Sequence, residues 1–454
     1  MIMLGHLFHT LCVLLVCIPL IKAFNMTTKS PKTGVPIVYV FTVSQRACEK
    51  GLPAYIKFSL EQAVLTQYES DVILVSNYKE CSKVRQSSDL IEGLIQIDTA
   101  SLHSQRLDKF ANLSTNIFQD DGYGNLWVTS ALRFFFLETM MEQHGYKDIM
   151  HIEADNLLYG NLNAIIEIFR KNFKGLAATP LNSNKTFMTA SVFWIPSLEI
   201  MRFFNDYLLA IVENTVFQMA SNHPKGLWLM YLDWLRPYAC CKHGGVQQDK
   251  NGMGLKPFAI NEMSLMAYFH ELFPDSFNLL AVVPQYPYLK NKHIIDVGQY
   301  APTGKEANAA GGKDMGGIWD PNSWGQYIGG TSNKNGRDKG FTDGSHIAGV
   351  AIRIAKCKPH MMCGNSSTHL LPQTKWRKEE GASKAVAPGM PTVESESEIS
   401  HPAPAKELKC YTAPFVKCGD INDEVVSDWV PLWNLHVHSK HTENYVSKPC
   451  ECGT

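Results

Sequence analysis

The chain has no excess of charge of either sign: its 454 residues hold 42 Lys and Arg against 43 Asp and Glu, a formal net charge of −1. That balance excludes a basic nucleic-acid coat and an acidic tail acting through its field. No Cys-x-x-Cys pair stands at structural-site spacing, and Cys450-Glu451-Cys452 is too close-set to supply a tetrahedral pair easily, so closed thiolate zinc sites are set aside. There is no internal repeat, and beyond the amino terminus no apolar run is long enough to span a bilayer. What the chain does have is apolar substance. Its 45% hydrophobic and 11% aromatic residues exclude disorder throughout, and this length can bury one large core or two of ordinary size.

The amino-terminal stretch Leu4–Ile21 is interrupted only by His6, His9 and Thr10, and small Ala23 follows it. The unbroken part, Leu11–Ile21, has the length of a signal-peptide core. An uncleaved membrane anchor is the rival reading. Against it, no Lys or Arg precedes the segment while Lys22, Lys29 and Lys32 follow it, and the stem would be short. Residues 1–23 are therefore read as signal peptide or anchor and 24–34 as a spacer, with membrane contact only if the segment stays uncleaved.

Cysteine usage agrees with export. Of the 12 cysteines, Cys12 and Cys17 lie in the leader; the even remainder reads as a disulfide framework whose pairing the sequence leaves open. Sequons at Asn25, Asn112, Asn184 and Asn365 point the same way. The expected compartment is the secretory pathway: Golgi or endoplasmic reticulum lumen, or the exterior.

Along the chain, Val35–Val43, Asp71–Ser76 and Leu94–Ile97 read as buried strands, with a helix from Pro53 to Tyr68 between the first two. Crossovers of that length suit parallel pairing, so the opening third reads as an open α/β sheet. Leu126–Met141 reads as a largely buried helix whose charges are Arg133 and Glu138. Strands follow at Asp148–Glu153, Gly175–Thr179 and Thr189–Trp194, with helices near Leu162–Phe173, over Leu198–Val216 and over Asn261–Leu272. Residues 35–375 are taken as one domain, 376–409, poor in large apolar residues, as a disordered linker, and 410–454 as a segment that folds back.

Two constellations carry chemistry. The first is His151-Ile152-Glu153-Ala154-Asp155-Asn156, at the carboxyl end of a buried strand. If the strand persists, alternation sets His151, Glu153 and Asp155 on one side, at the edge where open α/β sheets bind ligands. Two acids there suit a hard divalent cation, Mn²⁺ or Mg²⁺, together with substrate phosphates. The plain alternative is that Asp155-Asn156 caps the next element. The second lies near the carboxyl end, where a two-residue period places Asn434, His436, His438 and Lys440 on one face and Trp433, Leu435 and Val437 on the other. A face of imidazoles and an ammonium needs a partner if buried, and a metal–diphosphate would supply one; a solvated edge strand is the alternative.

Together these motifs resemble the nucleotide-sugar-dependent glycosyltransferases of the GT-A type. Glu153-Ala154-Asp155 stands where that group has its Asp-x-Asp motif, and the segment Asn434–Lys440 is similar to its carboxyl-terminal His segment. Gly325–Gly330 and the Ala190–Pro196 strand also look familiar from the group. Glu153 departs from the pattern, which bears on the ribose or water-mediated contact of the first acid. The resemblance implies a mostly parallel open sheet flanked by helices, with a carboxyl-terminal segment returning to the site. It also implies metal-dependent transfer of a sugar from a UDP- or GDP-linked donor to a glycan or glycoprotein, without nucleic acid. Asp155, His436 and His438 are then the expected metal ligands. Glu153, Arg133, Lys440, Phe41 and Asn77 are the expected donor contacts, and Glu262 is the expected base if configuration is inverted. Arg133 has a buried ion pair with Glu138 or an N-terminal acid as its plain alternative, and Glu262 the role of an acid in a first helical turn. Asp233 and Asp249 are weaker base candidates, and Trp228, Trp234, Trp319 and Trp324 border the expected acceptor side. An inactive secreted binding protein that has lost its first acid, and a secreted metal-dependent hydrolase, are the competing functions.

Overall fold

The computed structural model describes residues 32–43, 48–114, 118, 126–181, 186–213, 226–235, 261–280, 282, 319–320, 360–362, 410–413, 415–417, 429–436 and 449–450. The chain divides into two units, Met1–Gly34 and Val35–Thr454. Of the first, only residues 32–34 are described, so the leader expectation lies outside them, as does the 376–409 linker. Among the described residues no helix is long and apolar enough to cross a membrane.

The second unit is built on a seven-stranded sheet in the order β3-β2-β1-β4-β7-β6-β8. Its strands are β1 (Ile37–Val40), β2 (Val72–Ser76), β3 (Leu94–Asp98), β4 (Ile149–Ile152), β6 (Leu176–Pro180), β7 (Met188–Ile195) and β8 (Phe277–Leu279). β1 pairs parallel with β2 and β4, β2 with β3, and β6 with β8; β7 runs antiparallel to both β4 and β6. The expected mostly parallel α/β sheet is what forms. Helices α1 (Ala54–Thr66) and α2 (Ser82–Asp89) make the first crossovers, and α3 (Gln105–Ser114) and α4 (Leu126–His144) lead back to β4. α5 (Ile166–Asn172), α6 (Leu198–Val212), α7 (Leu227–Leu235) and α8 (Glu262–Leu272) complete the helical set among the described residues.

Alternation sorts the strands onto two cores. Val38, Ile73 and Val75 face Phe134, Phe193 and Phe204 on the side of α4 and α6, while Ile37, Tyr39, Leu74 and Ile152 face the other side with Trp194, Trp319 and Trp433. Strands buried on both faces explain the near-continuous apolar runs of the sequence.

The other described strands include β9 (His360–Met362), β10 (Cys410–Ala413), β11 (Phe415–Lys417) and β12 (Trp429–Pro431), which precede β13 (Asn434–His436). A small antiparallel ribbon lies over the second core: β5 (Asn156–Leu158) pairs with β13, with Asn434 opposite Leu158 and His436 opposite Asn156. Polar side chains of α1 fasten it. The Ser59 hydroxyl donates to the Asn156 carbonyl, Gln62 Nε2 donates to Leu158 O at 2.7 Å, and Gln67 Nε2 to Gly160 O at 2.6 Å. Behind the ribbon Trp433 stacks on Trp319, ring centroids 6.0 Å apart. Gly160 makes that packing possible, since a Cβ there would fall 2.2 Å from the Trp433 ring. Trp319 is thus a core residue; Trp228 and Trp234 pack partly buried on the other core, and Trp324 lies outside the described residues.

Candidate functional site

Parallel β1, β2 and β4 end at the same sheet edge, so Phe41, Asn77 and Glu153, each the next residue after its strand, lie along it. Asn77 has its amide taken up locally: Oδ1 accepts from Val43 N at 3.0 Å and Nδ2 donates to Val43 O at 2.9 Å. It fixes the segment after β1, where Phe41 N donates to Val75 O at 2.9 Å. The disulfide Cys48–Cys81 ties the following residues to the start of α2.

Past Ile152 the strand does not persist. The chain turns, Asn156 N donating to Glu153 O at 3.0 Å, and Asn156 opens β5 instead of capping a helix. The turn brings Asp155 beside Glu153 and under β13. His436 Nε2 then stands 2.9 Å from Asp155 Oδ1, and its Nδ1 3.7 Å from Glu153 Oε2. Among the described residues, Glu153, Asp155 and His436 form a group whose candidate ligand atoms lie within 4.8 Å of one another. Two carboxylates and one imidazole, buried or nearly so, are a donor set that Mn²⁺ or Mg²⁺ accepts. His438 and Lys440 lie outside the described residues.

Glu138, one partner that the plain alternative offers Arg133, is held by Arg106, Nε to Oε1 at 2.8 Å, and by Asn205 Nδ2 at 2.6 Å. Arg133, nine-tenths buried in α4, instead reaches two acids at the site: Nη1 donates to Glu153 Oε1 at 2.5 Å and Nη2 to Glu262 Oε1 at 3.2 Å. Glu262 is the first residue of α8, delivered by an Asn261 cap whose Oδ1 accepts from Ser264 N at 3.0 Å. The plain reading of Glu262 therefore holds as to position, but it is also buried and ion-paired.

Protonation follows from this arrangement. Burial works against the charge of Glu153, yet Arg133 and His436 outweigh it and hold the carboxyl below its ordinary value. For Glu262 burial prevails over Arg133, and its pKa is pushed up to about 7. Burial also lowers Arg133, but Glu153 and Glu262 more than compensate, so the guanidinium stays charged. His151 is driven down to about 3 by burial and by Arg133, and with its Nδ1 2.9 Å from Val38 O it is a neutral structural group.

Sequence reasoning missed Asp320. This fully buried acid accepts His436 N at 2.8 Å through Oδ2, and its own N donates to Asn434 Oδ1 at 2.9 Å. The available signal was faint: Ile318-Trp319 is an apolar pair in a stretch rich in Gly, Asn and Asp. Asp233 sits in α7 and Asp249 outside the described residues, as does Gly325–Gly330.

No protein-family model matches the sequence, and a search of curated proteins finds no match. Among solved structures, the fold is similar to mouse xyloside xylosyltransferase 1, at 14% identity and a TM-score of 0.33, over 59% of this chain and 93% of that one. A cytidylyltransferase from Leptospira borgpetersenii is similar at 10% identity and a TM-score of 0.26, covering 44% and 71% of the two chains. The bacterial N-acetylglucosamine transferase NleB is similar at 10% identity and a TM-score of 0.23, covering 40% and 79%.

Proposed function

We propose that this protein transfers a sugar from a nucleotide-sugar donor, with a divalent cation, Mn²⁺ or Mg²⁺, held by Asp155, His436 and Glu153. The observation that carries the reading is the meeting of His436 with Asp155 and Glu153, from distant parts of the chain, at the carboxyl edge of the sheet. Such an ion, when bound, offsets the charge that develops on a diphosphate leaving group. Phe41 and the segment fixed by Asn77 border the nucleoside side of the same edge. Lys440 is the cation proposed to face the diphosphate. Arg133, with two glutamates on its guanidinium, orients those carboxylates instead.

In an inverting transfer the acceptor oxygen forms a bond to the sugar carbon as the carbon–oxygen bond to the diphosphate breaks, and the hydroxyl proton passes to Glu262. A carboxyl whose pKa lies near 7 suits that task at neutral pH. The acceptor is proposed to be a glycan or glycoprotein in the secretory pathway; the Cys48–Cys81 disulfide supports an oxidising compartment. The inactive-binder reading takes Glu153 for a lost residue, and it is not favoured, because Glu153 belongs to the cation group.

The test is calorimetric titration with Mn²⁺ and then UDP or GDP, alongside a donor screen by mass spectrometry. Metal-dependent nucleotide binding with consumption of a sugar donor is expected. Tight UDP binding in excess EDTA counts against the cation, and nucleotide binding without turnover of any donor counts against transfer.

A further inference from the structure

Four fully buried polar residues link the backbone segments that carry the three cation candidates, without being candidates themselves: Ser191, Asp320, Asn434 and Asn156. Their hydrogen bonds form a closed circuit. Glu153 N donates to Ser191 O at 3.1 Å, and Asn156 Nδ2 donates to the same carbonyl at 3.1 Å. Asn434 Nδ2 donates to Asn156 Oδ1 at 2.7 Å, and Asp320 N donates to Asn434 Oδ1 at 2.9 Å. Ser191 Oγ donates back to Asp320 O at 3.1 Å, and Asp320 Oδ2 accepts from His436 N at 2.8 Å.

The circuit touches Glu153 at its backbone, Asp155 through the next residue, and His436 at its backbone. Asp320 is its acidic member. An acid side chain in full burial is costly unless its polar atoms are bonded. Here one of its oxygens takes the main-chain N–H of the residue supplying the imidazole. Trp319, stacked on Trp433 and edge-on to Phe169, anchors the position from which Asp320 acts.

We infer that Asp320 is a positioning residue: by gripping the His436 main chain and locking Asn434 to Asn156, it holds the imidazole over Asp155 and Glu153 before any cation arrives. The role rests on the reading of those three residues as a cation site. Outer partners that orient ligands typically matter 10- to 100-fold for metal affinity.

The experiment uses the full chain and Mn²⁺ alone as probe, with hydrogen exchange of the 434–436 peptide as a second readout that needs no metal. Asp320→Ala is expected to weaken Mn²⁺ on the order of 10- to 100-fold and to speed exchange at 434–436. Asp320→Asn, which keeps an acceptor oxygen, should recover most of both. If the alanine chain does not fold, Asn434→Ala, which leaves the carboxylate in place and opens the circuit elsewhere, is expected to give the same pair of effects. Unchanged Mn²⁺ affinity in folded Asp320→Ala or Asn434→Ala, even with a lowered melting temperature, overturns the positioning role and leaves the cation reading standing. A wild type that binds no Mn²⁺ overturns the cation reading and with it the ligand-positioning role.

Discussion

His436 places one imidazole between two carboxylates, 2.9 Å from Asp155 by Nε2 and 3.7 Å from Glu153 by Nδ1. A ring in that position holds the acids at a spacing a cation can take over, and proton and cation compete for the same place. On the proposed cation reading, binding of a metal therefore displaces protons and tightens as pH rises.

The first consequence concerns metal and stability. At a Mn²⁺ concentration near 100 times Kd, the wild type should gain about 2.7 kcal/mol, read as a rise in Tm that EDTA reverses. Asp155→Asn conserves volume and should keep the fold while losing that gain. Its metal-dependent turnover of nucleotide-sugar should fall on the order of 10²–10³-fold. A Mn²⁺-induced Tm shift of equal size in both proteins sinks the assignment.

Arg133 answers two buried acids at once, so its loss strands both. Arg133→Met should cost about 3–5 kcal/mol in urea denaturation, the usual effect of removing one partner from a buried ion pair. Adding Glu262→Gln to it should combine non-additively, since the Arg133–Glu262 contact is lost in either single variant. Strict additivity of the two changes would mean that Arg133 and Glu262 do not interact.

Glu262 gives a pH signature with a fixed sign. Its folded-state pKa, about 7, lies above the ordinary 4.5, so the folded state binds the proton more tightly. The resulting stabilisation is complete below pH 4.5 and is lost as pH rises through about 7. Glu153, shifted downward, acts in the opposite direction and at lower pH. Glu262→Gln should therefore gain in Tm relative to wild type between about pH 5 and about pH 8. In the transfer assay, wild-type kcat/KM should rise through pH 7, and the variant should be slow without that inflection. A wild-type-minus-variant Tm difference that stays flat across this range contradicts the raised pKa.

Gly160 tests the ribbon. An alanine methyl would overlap the Trp433 ring, which is backed by Trp319 and has little room to move. Gly160→Ala should cost about 1–3 kcal/mol and weaken Mn²⁺ binding by shifting β13. Unchanged affinity would separate the Trp433 packing from the position of His436.

The sheet was largely legible because its strands are buried on both faces and its crossover helices have ordinary spacing. β1, β2, β3, β4, β6 and β7 fall where apolar runs placed them. The sequence reading does not reach the helices α2, α3 and α7 or the short β5 and β8. α2 is mostly polar, with Val84 and Ser88 its buried residues, and three-residue strands carry no period. Asp155 came to the expected place by an unexpected route, because a turn has no periodicity and local sequence could not distinguish it from a continuing strand. An Arg on an apolar helix needs an anion, but which acid Arg133 meets is a matter of three-dimensional packing: Glu138 lies on its own helix and turns toward Arg106. The polar residues Ser59, Gln62 and Thr66 of α1 are buried because β5 lies against that helix, a pairing local sequence does not carry.

The pairing of β5 with β13 also sets a timetable. All seven strands of the sheet are encoded by residue 279, whereas β13 comes from the last part of the chain. Asn156 and Asn434 are 278 residues apart, an interval that a ribosome covers in roughly 14–56 s at about 5–20 residues per second. During that time a newborn chain has its scaffold sequence in hand but lacks the imidazole. On the cation reading proposed above, capture of the ion waits for that second segment, and a chain interrupted before residue 429 keeps the sheet's sequence and forfeits His436.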